Sequence, residues 1–132
     1  MGMTILRAGL LFLLMTVGAA GCVPAQKDID LNPSIRYAGS ILYIKNNDPF
    51  DYNEAKVDLN DGVYRFRVED SIPAGKEIEI NLLQFTKEDG ERFNVLTHSI
   101  KDISISCKAI KRKDKFDMDY LGRGFYHGKF KN

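Results

Sequence analysis

From Ser34 onward, apolar and polar residues alternate with a period of two, the spacing that sends successive side chains to opposite faces of a β-strand. Ile41–Lys45 is a short apolar run stopped by the turn-forming cluster Asn46-Asn47-Asp48-Pro49. Lys56–Leu59 alternates, and so does Val63–Val68, where Tyr64, Phe66 and Val68 oppose Arg65 and Arg67. Between these two runs, Asn60-Asp61-Gly62 supplies residues that tolerate positive φ, a local hairpin signal. After the turn Ser71–Gly75, the segment Lys76–Leu82 sets Ile78, Ile80 and Leu82 against Glu77, Glu79 and Asn81. Glu88-Asp89-Gly90 turns the chain before Arg92-Phe93, and two more strands follow, around Cys107 and at Phe125–Phe130. No segment of ten residues keeps a helical stripe. About seven short strands separated by turns predict an all-β fold, a single antiparallel two-sheet sandwich.

The first 33 residues follow another grammar. Met1–Arg7 carries one cation, Ala8–Val17 is apolar, and Ala19-Ala20-Gly21 are small. That order is the pattern of an export signal, and the apolar run is too short for a permanent membrane span. With Cys22 next, the segment resembles the bacterial lipoprotein box, departing from it at Ala19, where that family more often has Leu. The resemblance implies a signal helix over 1–21, removed on export, and Cys22 bearing diacylglycerol and an N-acyl chain. The anchor would then be lipid, and the membrane the first partner. Val23, rather than Asp, after the lipidated cysteine implies the outer membrane, facing the periplasm, in an organism with two membranes. Val23–Pro33 is polar and aperiodic, so 22–33 reads as the lipidated residue plus a flexible tether spanning at most about 40 Å. The sandwich is expected over 34–132.

Removing 21 of the 132 residues leaves 111, one domain's worth. Of 19 Lys and Arg only Arg7 is lost, leaving 18 cations against 18 Asp and Glu. A balanced chain lacks the cationic face that nucleic acid requires. With Cys22 acylated, Cys107 has no intramolecular partner, and its alternation with Ile103 and Ile105 assigns it to the core.

Residues 46–52 (Asn-Asn-Asp-Pro-Phe-Asp-Tyr), the Pro73-Ala74-Gly75 turn, and Phe85 through Asp89-Gly90-Glu91-Arg92-Phe93 are similar to small secreted bacterial domains of the immunoglobulin or fibronectin type III sandwich kind. The likeness covers roughly Ile41–Cys107 and implies architecture, with no activity attached.

Candidate chemistry is sparse. His98 and His127 lie 29 positions apart with no nucleophile and acid evidently converging on either. Asp58, Asn60 and Asp61 are explained by their hairpin. Asp114, Asp117 and Asp119 offer three oxygen ligands where calcium takes six to eight. Neither a metal nor a catalytic residue is expected, nor a cofactor beyond the lipid.

The segment Ala109–Gly124 stands apart because it loses alternation and exceeds the usual length of a connection. Lys111, Arg112, Lys113 and Lys115 interleave there with Asp114, Asp117 and Asp119 and with Phe116, Met118 and Tyr120. It is either a solvated loop, an irregular strand with its aromatics packed inward, or a contact surface for an envelope protein or cell-wall component. The contact candidates are Lys111, Arg112, Lys113, Phe116 and Tyr120. Phe50 and Tyr52 either add a second aromatic patch or cap the core.

The expectation is therefore a non-enzymatic binding or scaffolding module held on a membrane. The alternative is an inhibitor of cell-wall lytic enzymes, or a small hydrolase acting with them. A hollow lined by His98 or His127 with a carboxylate in reach would favour the hydrolase, and a convex loop tip the inhibitor or scaffold.

Overall fold

The computed structural model describes residues 28–130, so the signal segment, Cys22 and the tether as far as residue 27 lie outside the described part. Eight strands follow in order: β1 Asp28–Asp30, β2 Pro33–Ala38, β3 Ile41–Asn46, β4 Asp51–Leu59, β5 Tyr64–Arg67, β6 Glu77–Asn81, β7 Asp102–Arg112 and β8 Met118–Lys129. They form a five-stranded sheet in the order β1-β8-β7-β4-β5 and a three-stranded sheet β2-β3-β6. A 3-10 turn, Leu82–Gln84, follows β6, the Leu83 N–H donating to Oδ1 of the capping Asn81. The two sheets enclose one apolar core, which makes the domain a β-sandwich.

The period-two pattern explains why these segments pair. In β7, Ile103, Ile105, Cys107 and Ala109 are buried while Ser104, Ser106 and Lys108 face outward. Leu42 and Ile44 of β3 and Ile80 of β6 supply the opposing layer. Phe85 and Phe93, which follow the small sheet, are fully buried and hydrogen-bonded backbone to backbone. Each such side chain contributes roughly 1.5–3 kcal/mol on leaving water. The β4–β5 turn forms as the sequence predicts, with Asn60, Asp61 and Gly62 at φ of 55°, 58° and 81°.

Three expectations need correction. The tether does not extend to Pro33: Asp28–Asp30 is already a strand, Leu31 is buried, and β2 begins at Pro33. The sandwich is not wholly antiparallel, since β1 runs parallel to β8 with Asp28 beside Arg123 and Asp30 beside Phe125. Arg92-Phe93 is no strand; Arg92 makes an isolated bridge to Thr86 and donates through Nη1 to the Leu83 carbonyl at 3.1 Å. The first two have one cause. A three-residue edge strand with a single apolar residue shows no alternation, and its partner lies over ninety residues away.

Leu31 locks this added strand. Its N–H donates to the Phe125 carbonyl at 3.0 Å, and its side chain lies over Gly124. A Cβ on Gly124 would stand 2.4 Å from Leu31 Cδ2 and 3.2 Å from Cys107 Sγ, so only glycine lets the leucine seat.

Two outcomes follow from this packing. Gly124→Ala should destabilise the domain by about 1–3 kcal/mol, the usual cost of overpacking, read from the denaturant midpoint. Cys107 should resist alkylation in the folded protein and react once it is unfolded, because burial pushes its thiol up to about 12. That upward shift also means its contribution to stability is complete below about pH 9 and lost as the pH rises towards about 12.

Candidate functional site

The β7–β8 hairpin is longer than the sheet that carries it. β4 accompanies β7 only as far as the pair Asp51↔Ile110, whereas β7 and β8 continue through Lys111↔Asp119 and Arg112↔Met118. Beyond them, Lys113–Asp117 closes the hairpin. The Lys113 N–H donates to the Asp117 carbonyl at 2.9 Å, and Asp114 Oδ1 accepts the N–H groups of Phe116 and Asp117 at 2.8 and 2.9 Å. This local side-chain bonding fixes the turn from within. It leaves Phe116 pointing away from the protein, 91% exposed.

Met118, Tyr120 and Leu121 are exposed as well, at 51%, 46% and 39%. Four large apolar side chains at one end of a hairpin leave apolar area in water that a partner can cover. Among them Lys113 pairs with Asp119 at 3.1 Å, and Arg112 reaches Asp51 at 3.5 Å. Arg112 is thus held by the sheet, while Phe116 is held only by its turn.

The segment 109–124 is therefore mostly strand, so of the alternatives the sequence left open the irregular strand describes its backbone and the long loop does not. Its alternation is hidden for two reasons. Between Ala109 and Ile110 the register shifts, Ala109 facing Gly122 and Ile110 facing Tyr120, so Leu121 is an extra residue that breaks the parity. The overhanging part also has no core on either side, so nothing selects apolar residues for one face. The inward-packed arrangement of Phe116, Met118 and Tyr120 is overturned by their exposure.

Phe50 and Tyr52 do not belong to this surface; both are buried. Asn46 is the reason. Fully buried, it donates through Nδ2 to the carbonyls of Phe50 (2.8 Å) and Ile72 (2.9 Å), and its Oδ1 accepts the Asp48 N–H at 2.8 Å. Asp48 Oδ2 in turn accepts the Tyr52 hydroxyl at 2.6 Å and the Asn32 N–H at 2.8 Å. Burial, reinforced by the Asp48 carboxylate, pushes the Tyr52 phenol far above its ordinary value. These two aromatics cap the core.

The hairpin leads into the outer face of the five-stranded sheet. Asn53, Glu54, Lys108, Ile110, Tyr120 and Arg123 line a hollow of about 440 Å³ beside the overhang. Further along, cross-strand register sets Arg65, Asp58, Ser104 and His127 in one row, and Arg67, Lys56, Ser106, Phe125 and Asp30 in the next. Parts of both rows line a second hollow of about 570 Å³. Here His127 Nε2 lies 4.0 Å from Asp102 Oδ2, while Asp102 Oδ1 already accepts the Asp61 N–H at 2.9 Å. Asp58 Oδ1 is buried without a hydrogen-bond partner among the described residues.

His98 is used otherwise. It packs against the rings of Tyr64 and Phe93 and lies 2.9 Å from Thr97 Oγ1. The Asp114 carboxylate is committed to the hairpin turn and that of Asp119 to Lys113, while Asp117 enters the turn through its backbone. Among the described residues no three His, Cys, Asp or Glu side chains are grouped to hold a metal.

Of the residues singled out by sequence, Lys111, Arg112, Lys113, Phe116 and Tyr120 come together at the hairpin end. Leu121 joins that surface unforeseen as the extra residue of the bulge, and Ile110, on the outward face of β7, lines the adjoining hollow. Cys22 lies outside the described residues. Compared with family models, curated proteins and solved structures, the chain matches none.

The Asn46 network gives a direct test of why Phe50 and Tyr52 face inward. Asn46→Ala strands two buried carbonyls and the Asp48 N–H, and should cost about 2–3 kcal/mol in chemical denaturation. Quenching of tyrosine fluorescence by acrylamide should rise in the same variant as the cap loosens.

Proposed function

We propose that the chain is a lipid-anchored module of the cell envelope, of the immunoglobulin or fibronectin type III kind, that works by binding or scaffolding and performs no catalysis. Cys22, preceded by a charged start, an apolar run and three small residues, supplies the anchor through its diacylglycerol and N-acyl chain. In an organism with two membranes the domain faces the periplasm from the outer one. The observation that carries the binding role is the overhanging β7–β8 end, where Phe116, Met118, Tyr120 and Leu121 lie exposed among Lys111, Arg112 and Lys113. A rigid sandwich presenting a projecting hairpin is a common way for this architecture to meet a partner. The same convex tip suits insertion into the cleft of a lytic enzyme, which keeps the inhibitor within this reading.

The hydrolase reading has one observation in its favour: His127 sits in a hollow with Asp58 and Asp30, and Asp102 is 4.0 Å from its ring. A general base also needs a nucleophile within hydrogen-bond reach. Ser104, opposite His127 in register, makes no hydrogen bond to it among the described residues. The weight therefore falls on binding.

In the native host, Cys22→Ala should lose the acyl mass and leave the membrane fraction. The double variant F116S/M118S should keep the wild-type melting temperature, since both side chains are exposed, and should lose whatever the wild type cross-links in intact cells. Unchanged cross-linking in F116S/M118S would remove the hairpin from the account. Loss of the cellular role in H127A alone would install the hydrolase instead.

A further inference from the structure

The parallel pairing of β1 with β8 fixes where the chain enters the domain. Strand β8 runs from the hairpin tip towards the far end of the sheet, and β1 runs beside it in the same direction. Asp28, the first residue of β1, therefore lies at the hairpin end, next to Arg123. Phe116 is seven positions from Arg123, which at about 3.3 Å per residue puts the tip roughly 20 Å beyond Asp28. Cys22 is six positions ahead of Asp28, and six residues reach at most about 20 Å when fully extended. The tether and the stretch of β8 that leads back from Arg123 to the tip start from the same level of the sheet and have about the same reach.

We infer that the hairpin tip docks on the lipid surface that holds the Cys22 anchor, as a second membrane contact made by Phe116, Met118, Tyr120 and Leu121. This deepens the preceding reading and rests on Cys22 being lipid-bearing. The chemistry of the tip suits an interface. An aromatic ring projects furthest, exposed Met, Tyr and Leu side chains stand behind it, and Lys111 and Lys115 make no ion pair among the described residues. Of the three carboxylates present, Asp119 pairs with Lys113, while Asp114, whose Oδ1 accepts two N–H groups of its turn, and Asp117 keep their charge and offset those lysines in part, so the apolar side chains carry most of the contact. Lysines beside an anionic leaflet are attracted to it, and a lipid chain supplemented by a second contact binds more firmly than one alone. Docked in this way, the sandwich would stand on its hairpin with the sheet axis raised from the surface.

The chain has no tryptophan, so Phe116→Trp installs a single reporter at the tip. Leu96→Trp is its control: Leu96 is 90% exposed, and its loop borders Asn60 and Lys101 at the opposite end of the sheet. Each full-length protein, purified from the membranes of a host that processes it, is reconstituted into vesicles of phosphatidylglycerol and phosphatidylcholine. Part of the phosphatidylcholine carries bromine on its upper acyl carbons. Flotation reads the anchor, and quenching reads the tip. The expected result is that both proteins float, that the F116W protein shifts to the blue and loses most of its emission, and that the L96W protein does neither. Floating vesicles with the F116W protein unquenched would overturn the docking and leave the anchor standing. A chain that does not float would overturn both. A photo-cross-linker at position 116 that captures a protein in intact cells, and no lipid, would also overturn the docking and give the tip a protein occupant.

Discussion

The backbone pairing of β7 with β8 is the constraint from which the rest of the molecule follows. It runs from Asp102↔Lys129 to Arg112↔Met118, interrupted once by the register shift between Ala109 and Ile110. One flank of β7 receives β4, and through it β5. The free flank of β8 receives β1. The inner side chains of β7 form the floor on which Leu42, Ile44 and Ile80 of the small sheet pack. Because the ladder outlasts β4 by two residue pairs, the same pairing that builds the core also carries a part of the chain clear of it. Stability and exposure are thus properties of one hairpin at its two ends.

Much of the core was legible in sequence, and for a simple reason. Where a strand has water on one side and the core on the other, the period of two is written into its residues. Ile103, Ile105 and Cys107 obey it, as do Tyr64, Phe66 and Val68, and Ile78, Ile80 and Leu82. The turn at Asn60-Asp61-Gly62 was legible because positive φ restricts residue choice. Strand β1 was hidden, since Asp-Ile-Asp at a sheet edge has too few positions to show a period, and parallel pairing to a distant strand leaves no local mark. The inward turn of Phe50 and Tyr52 depends on Asn46, whose three side-chain bonds form only after residues 46, 50 and 72 have been assembled.

The candidate surface was half legible. The mixture of cations and aromatics in 111–120 drew attention because no core pattern explained it, and the structure finds those residues in water at the end of a ladder. What sequence could not supply was their orientation, which one extra residue at Leu121 decides. The hollows on the outer face were also out of reach, because one is assembled from strands β4, β7 and β8 and the other from these and β1, segments far apart in the chain. Their side chains are ordinary for a solvent face, so no residue taken alone marks them.

Strand β1 has one more consequence, and it is mechanical. Tension arriving through the segment ahead of Asp28 pulls along the axis of β1, because the strand points away from the end at which the chain enters. Its hydrogen bonds to β8, which lie across that axis, are then loaded together in shear rather than unzipped one after another. Leu31, wedged over the bare Cα of Gly124, acts as the stop that keeps the strand from sliding. Three residues and one leucine thus form a strain-relief fitting between the cord and the body it holds.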